Sequence, residues 1–220
     1  MPRYVITFSK QGLIKYTSHL DMVRLFKRAF NRSGIYLEYS NGFNPHPKMV
    51  FAQPLALGYT SEGELLEFDT RDEYDADDIR NMVNKNMPSG IRVLRCVPIE
   101  KEKKSLAAKC CAAEYRITVP LPEGHETPEN ALRERFLAQS EITALKKEKK
   151  TGEMKPVDIK SGIRSLEIKI VDNKILLTAI LDAGSSSNIS PELLLNSFTN
   201  FIGLTIERET VEISRLQIFM

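Results

Sequence analysis

The chain has 220 residues, with 31 Lys and Arg against 29 Asp and Glu, so its net charge is only +2. That length exceeds one minimal domain and suits two of about 100 residues each. Hydrophobic residues at 42% and charged residues at 27% exclude a disordered chain. The longest aliphatic stretch, Ile175 to Leu181, is broken by Thr178 and is too short to cross a bilayer. Three cysteines, two of them adjacent, exclude a disulfide scaffold. The N-terminus alternates and carries no continuous apolar signal region, so the expectation is a soluble cytoplasmic protein without a membrane segment.

Tyr4, Ile6 and Phe8 alternate with Val5 and Thr7 as in a strand, which Gly12 breaks. Ser18-His19-Leu20-Asp21 is a helix start, a hydroxyl cap with an acid three residues on. That helix is expected to run to about Ser33 and stop at Gly34. Strands are expected at 35–40 and 48–53, separated by the loop Asn41-Gly42-Phe43-Asn44-Pro45-His46-Pro47, and another at 64–70. A helix at 76–86 follows, with Asp75, Asp77 and Asp78 massed at its positive end. A strand begins at Ile91.

After a charged linker the order repeats. Strands are expected at 115–119, 142–147, 165–171, 174–181 and 211–218, with helices at 128–138 and 191–201. Both helices open with a hydroxyl cap, proline and an acid: Thr127-Pro128-Glu129 and Ser190-Pro191-Glu192. The polar stretch 146–155 is expected to be an exposed connection. The fold class is therefore α+β, two tandem ferredoxin-like (β-α-β-β-α-β) domains with antiparallel sheets. The boundaries are 1–98, a linker at 99–111, and 112–220.

The low net charge hides a segregation. Residues 1–50 carry 8 basic and 2 acidic side chains, and residues 51–100 carry 5 and 10. A polyanion feels such a local field within about 10 Å, although solvated faces produce the same count. At 100° per residue, Leu20, Val23, Phe26 and Phe30 share an apolar arc of the first helix, with Met22 and Ala29 at its edge. Arg24, Arg28 and Arg32 follow one another on the opposite side, flanked by Lys27. This is a phosphate-binding ridge, or a solvated back pairing with the acidic second quarter.

The loop around Phe43 is the second feature. Prolines bracket His46, and Asn41-Gly42 favours a turn. Single-stranded RNA would stack on Phe43, with Asn44 and His46 beside it and Lys48 on phosphate. Alternatively Phe43 tucks into the core and the prolines set the bend. His19 and His46, with Tyr16, Tyr39 and Lys48 as helpers, suggest general acid–base cleavage of RNA, but His19 falls on the apolar side of the helix. His125 belongs to a solvated turn. No metal-ligand spacing, phosphate loop or nucleophile elbow occurs, so no metal site, no cofactor and no catalytic residue is expected.

Further residues carry a family likeness: Lys10-x-Gly12, Ser18-His19-Leu20-Asp21 with Arg24 and Arg28-Ala29, Ser40-x-Gly42-Phe43-Asn44-Pro45-x-Pro47-Lys48, and Pro54-Leu55-x-Leu57-Gly58 with Glu64. Over about residues 3–98 they resemble the radical-SAM-linked protein family, a domain of unknown function found beside or fused to radical SAM enzymes. The resemblance implies a non-catalytic accessory role with a radical SAM enzyme as partner, in RNA modification or ribosome maturation. The chain lacks that enzyme's own three-cysteine cluster motif. The architecture also looks like that of CRISPR repeat-processing endoribonucleases, without a glycine-rich loop before the last strand. The alternatives are a metal-independent endoribonuclease using His19 or His46, and a protein-binding adaptor that touches no nucleic acid.

Overall fold

The computed structural model describes residues 1–100, 104–122, 131–148, 151–184 and 187–220. Among them the fold is α+β and mostly antiparallel, with ten strands and five α-helices. The chain divides into two compact units, Met1–Cys110 with Met220, and Cys111–Phe219.

The first unit runs β1 (Arg3–Lys10), α1 (His19–Arg32), β2 (Met49–Phe51), β3 (Thr60–Asp69), α2 (Ala76–Asn84), β4 (Ile91–Pro98) and a short α3 (Leu106–Lys109). Its sheet order is β4-β1-β3-β2, every neighbour antiparallel. Period-two alternation sends Tyr4, Ile6 and Phe8 of β1 to one face, opposite Phe68, Leu66 and Glu64 of β3. Phe26, Phe30, Ile79 and Val83 of the two helices close that core. Along β1, Arg3 forks onto Asp69 at 2.6 and 3.0 Å and pairs with Glu67 at 2.9 Å. Glu67 accepts in turn from the Leu106 amide at 3.0 Å, which pins α3.

Helix α1 starts where the sequence places it. The Ser18 hydroxyl accepts from the Asp21 amide at 3.2 Å and donates to its carboxylate at 2.7 Å. Its buried stripe is Met22, Phe26, Ala29 and Phe30, the i, i+4, i+7, i+8 row of a helix lying on a sheet. Leu20, expected on that stripe, is 66% exposed, because the buried arc is centred between Met22 and Phe26 rather than on Val23. The expected strand at 35–40 reduces to single bridges, Leu37 to Thr70 and Tyr39 to Pro47. The β3 edge from Leu66 to Phe68 is taken by β2, so residues 35–40 meet β3 only at its end, where the Glu38 amide donates to the Asp69 carbonyl at 2.9 Å.

The second unit runs β5 (Ala112–Pro120), α4 (Leu132–Leu137), β6 (Thr143–Lys147), β7 (Met154–Asp158), β8 (Ile163–Val171), β9 (Lys174–Asp182), α5 (Pro191–Phe201) and β10 (Glu212–Phe219). Its main sheet has the order β10-β5-β9-β8. Asp172 and Asn173 both have positive φ, as the tight β8–β9 hairpin requires. Stretch 146–155, expected as a connection, instead contributes to a β6–β7 hairpin in which Lys146 faces Lys155. The Thr127-Pro128-Glu129 cap and His125 lie outside the described residues.

Candidate functional site

Phe43 does not tuck into the core. It is fully exposed, at 111% relative accessibility, on a loop that is nonetheless tied down. The Ser40 amide donates to the His46 carbonyl at 2.9 Å, and the His46 amide donates to the Ser40 hydroxyl at 3.1 Å. The same hydroxyl lies 3.1 Å from His46 Nδ1, so the imidazole braces the loop base. Gly42 has a φ of +127°, which a side chain would oppose. Asn44 is exposed beside Phe43. Lys48 lies 3.7 Å from Glu38, which offsets its charge.

The arginine ridge separates into parts. Arg24 is held by Asp21 at 2.9 Å. Its guanidinium and the Ser18 hydroxyl hold the Asp21 carboxyl below its ordinary pKa range, the hydroxyl more strongly. Lys27 stands 5.5 Å over the Tyr39 ring on one flank of α1. Arg28 and Arg32 turn to the other flank, where they line an open groove of about 580 Å³ with Lys85. None of these four cations is ion-paired with a described residue. The acidic second quarter therefore does not neutralise the ridge. Glu67 and Asp69 serve Arg3, and Asp77 serves Arg80.

His19 lies elsewhere, edge-on to Phe51 at 5.2 Å, in a small cleft of about 20 Å³. Lys10, Gln53, Leu55 and Glu64 share that cleft, over Phe8 and Met22. Lys10 is buried, its ammonium donating to the Lys15 and Thr17 carbonyls at 3.2 and 3.0 Å. Lys10, His19, Leu55 and Glu64 all belong to the family-like motifs, yet only His19 was named as a site residue from sequence. The missed signal is register: Lys10 continues the inward row Tyr4, Ile6, Phe8, and Glu64 heads the inward row of β3. A charge in such a row is either paired or functional. His46 does not line this cleft. Among the described residues no group of three or more His, Cys, Asp or Glu side chains is placed to hold a metal ion. Nor is any helix there long and apolar enough to cross a membrane.

The chain belongs to a bacterial family: the model of the family described as an uncharacterized protein conserved in bacteria (DUF2344) matches residues 3–191. None of the curated proteins matches its sequence. Among solved structures, a chain of a Cbf5-Nop10-Gar1 complex is similar at 12% identity and a TM-score of 0.55. The match covers 98% of this chain and 48% of that one, so this chain spans about half the length of that protein. That likeness is one of fold alone. An unknown protein from Galdieria sulphuraria, at 9% identity over 100% of this chain and 99% of that one, has a TM-score of only 0.26 and carries no argument.

Proposed function

We propose that this protein is a non-catalytic, RNA-associated accessory protein that works in the cytoplasm with a radical SAM enzyme, in RNA modification or ribosome maturation. The observation that carries the RNA half is Phe43. Leaving a phenylalanine in water forgoes roughly 1.5–3 kcal/mol of burial, and the braced loop holds it there. A ring fixed in solvent beside an amide is suited to stacking an unpaired base. Arg28 and Arg32, which have no described ion-pair partner, add the charge that a phosphate backbone needs. We read each unit as ferredoxin-like, since helices and main-sheet strands run β-α-β-β-α-β with spatial order fourth, first, third, second. The β6–β7 hairpin is then an insertion in the second unit.

The partner half draws on a different surface. Leu13, Tyr16, Leu20 and Leu57 are exposed on neighbouring segments, joined where the Gly58 amide donates to the Lys15 carbonyl at 3.0 Å. Apolar side chains gathered this way suit a protein partner, and the radical SAM enzyme implied by the motif resemblance is the one we assign. The endoribonuclease alternative draws on His19 beside buried Lys10, and cleavage of RNA in chelator would favour it.

Binding of a labelled, unstructured RNA to the full chain tests the RNA half. Replacing Phe43 by Ala should weaken affinity by about 1–3 kcal/mol and leave the melting temperature unchanged, since the ring packs on nothing. Equal affinity for wild type and Phe43→Ala would refute the stacking role.

A further inference from the structure

The groove that receives Arg28 and Arg32 is bounded by α1 and by the corner between α2 and β4. Its charged lining residues are Arg28, Arg32 and Lys85, all cationic, and apolar surface comes from both sides, from Leu25 and Ala29 of α1 and from Ile14, Met87 and Pro88. The two sides are held at a fixed spacing. Asn86 donates to the Ser33 hydroxyl at 3.0 Å and to the Met82 carbonyl at 3.1 Å, and Ser33 donates to Met82 as well, at 3.0 Å. These bonds join the ends of α1 and α2. The corner itself is anchored by the Gln11 amide, which donates to the Gly90 carbonyl at 2.8 Å.

We infer that this groove is a track for a single-stranded stretch of RNA, with phosphates on Arg28, Arg32 and Lys85 and bases against Ile14, Met87 and Pro88. The inference rests on the RNA reading above and gives it a substrate class. Three considerations carry it. The lining combines three cations with apolar side chains and holds no carboxylate, which suits a strand that offers both phosphates and unstacked bases. A duplex hides its base faces, so the apolar lining would gain nothing from it. At about 580 Å³ and open to solvent, the groove is too large for a lone anion.

Arg32 and Lys85 also stand at the C-terminal ends of α1 and α2, where carbonyl dipoles favour a cation. Arg28 lies a full turn earlier and gains little there. Dipole compensation alone therefore leaves Arg28 without a role, and it predicts a loss of stability when the cations are removed.

The test compares an unstructured RNA oligonucleotide with an RNA hairpin by fluorescence anisotropy at several salt concentrations, on the full chain. The triple variant R28Q/R32Q/K85Q should flatten the log K against log salt slope by about 2 for the single strand, at roughly 0.7 per lost contact. The melting temperature should hold, and the half-exposed control Arg80→Gln, away from the groove, should keep the slope. Should the triple variant unfold, K85Q and R28Q alone should each lower the slope by about 0.7. An unchanged slope in variants that still bind through Phe43 would overturn the groove and spare the RNA reading. A hairpin bound as tightly as the single strand would overturn the substrate class. Wild-type protein that binds an acidic peptide and no RNA would overturn both.

Discussion

Phe43, His46 and Ser40 show how a few residues set up a surface feature at the scale of single side chains. The prolines and Gly42 announce a bent loop in the sequence, but nothing local says whether its aromatic ring turns inward. That depended on the Ser40–His46 bonds, which close the loop base and leave the ring outside. Cys96 offers a cleaner chemical test. Burial pushes its thiol up to about 12, and the negative charges of Asp75 and Asp77 push the same way. A free thiol ionises near 8.5. The folded state thus holds the proton longer, so Cys96 contributes stability that is intact below about pH 8.5 and is lost as pH rises toward 12. Alkylation at pH 8 is expected to spare Cys96 in the native protein and to modify it in denaturant. Rapid native labelling, read by peptide mass spectrometry, would contradict that environment.

Among the elements, β1 and α1 were the most legible in the sequence. The alternation from Tyr4 to Phe8 and the Ser18 cap each reflect a local rule that tertiary packing did not override. The misplacement of Leu20 has a physical source: periodicity fixes which residues share a face, while the sheet beneath decides where that face is centred. Pairing was less legible still, because residues 35–40 and 49–51 compete for one edge of β3 and only register resolves them. The groove was invisible for the same reason, since Lys85 and Arg28 are 57 positions apart in the sequence. The α2–β4 corner that brings them together turns on Gly90. Its φ is +92°, and an added Cβ would lie 2.3 Å from the Gln11 carbonyl oxygen. Gly90→Ala is therefore expected to cost about 2 kcal/mol, measured by denaturant unfolding, and to weaken RNA binding by displacing the apolar lining. A variant as stable as wild type would show that the corner adjusts freely.

For the whole molecule, the charge segregation was the informative feature and the total of +2 was not. Of the acids of residues 51–100, Glu67 and Asp69 pair with Arg3, Asp75 caps α2 and Asp77 pairs with Arg80, while Arg28, Arg32 and Lys85 are exposed. The chain divides into two compact units; in the second, β6 coincides with the strand expected at 142–147, whereas its partner β7 was not legible, because a polar, lysine-rich stretch reads as a loop. The family match over residues 3–191 names a bacterial family and no activity, so the function has to be argued from the surface. The most direct measurement is ultraviolet crosslinking of the protein to RNA in cells, followed by sequencing of the RNA and mass-spectrometric mapping of the crosslinked peptides. An RNA-associated accessory protein should yield defined RNA, crosslinked at the peptide containing Phe43 and at the end of α1. Recovery of no RNA above an uncrosslinked background would contradict the proposal.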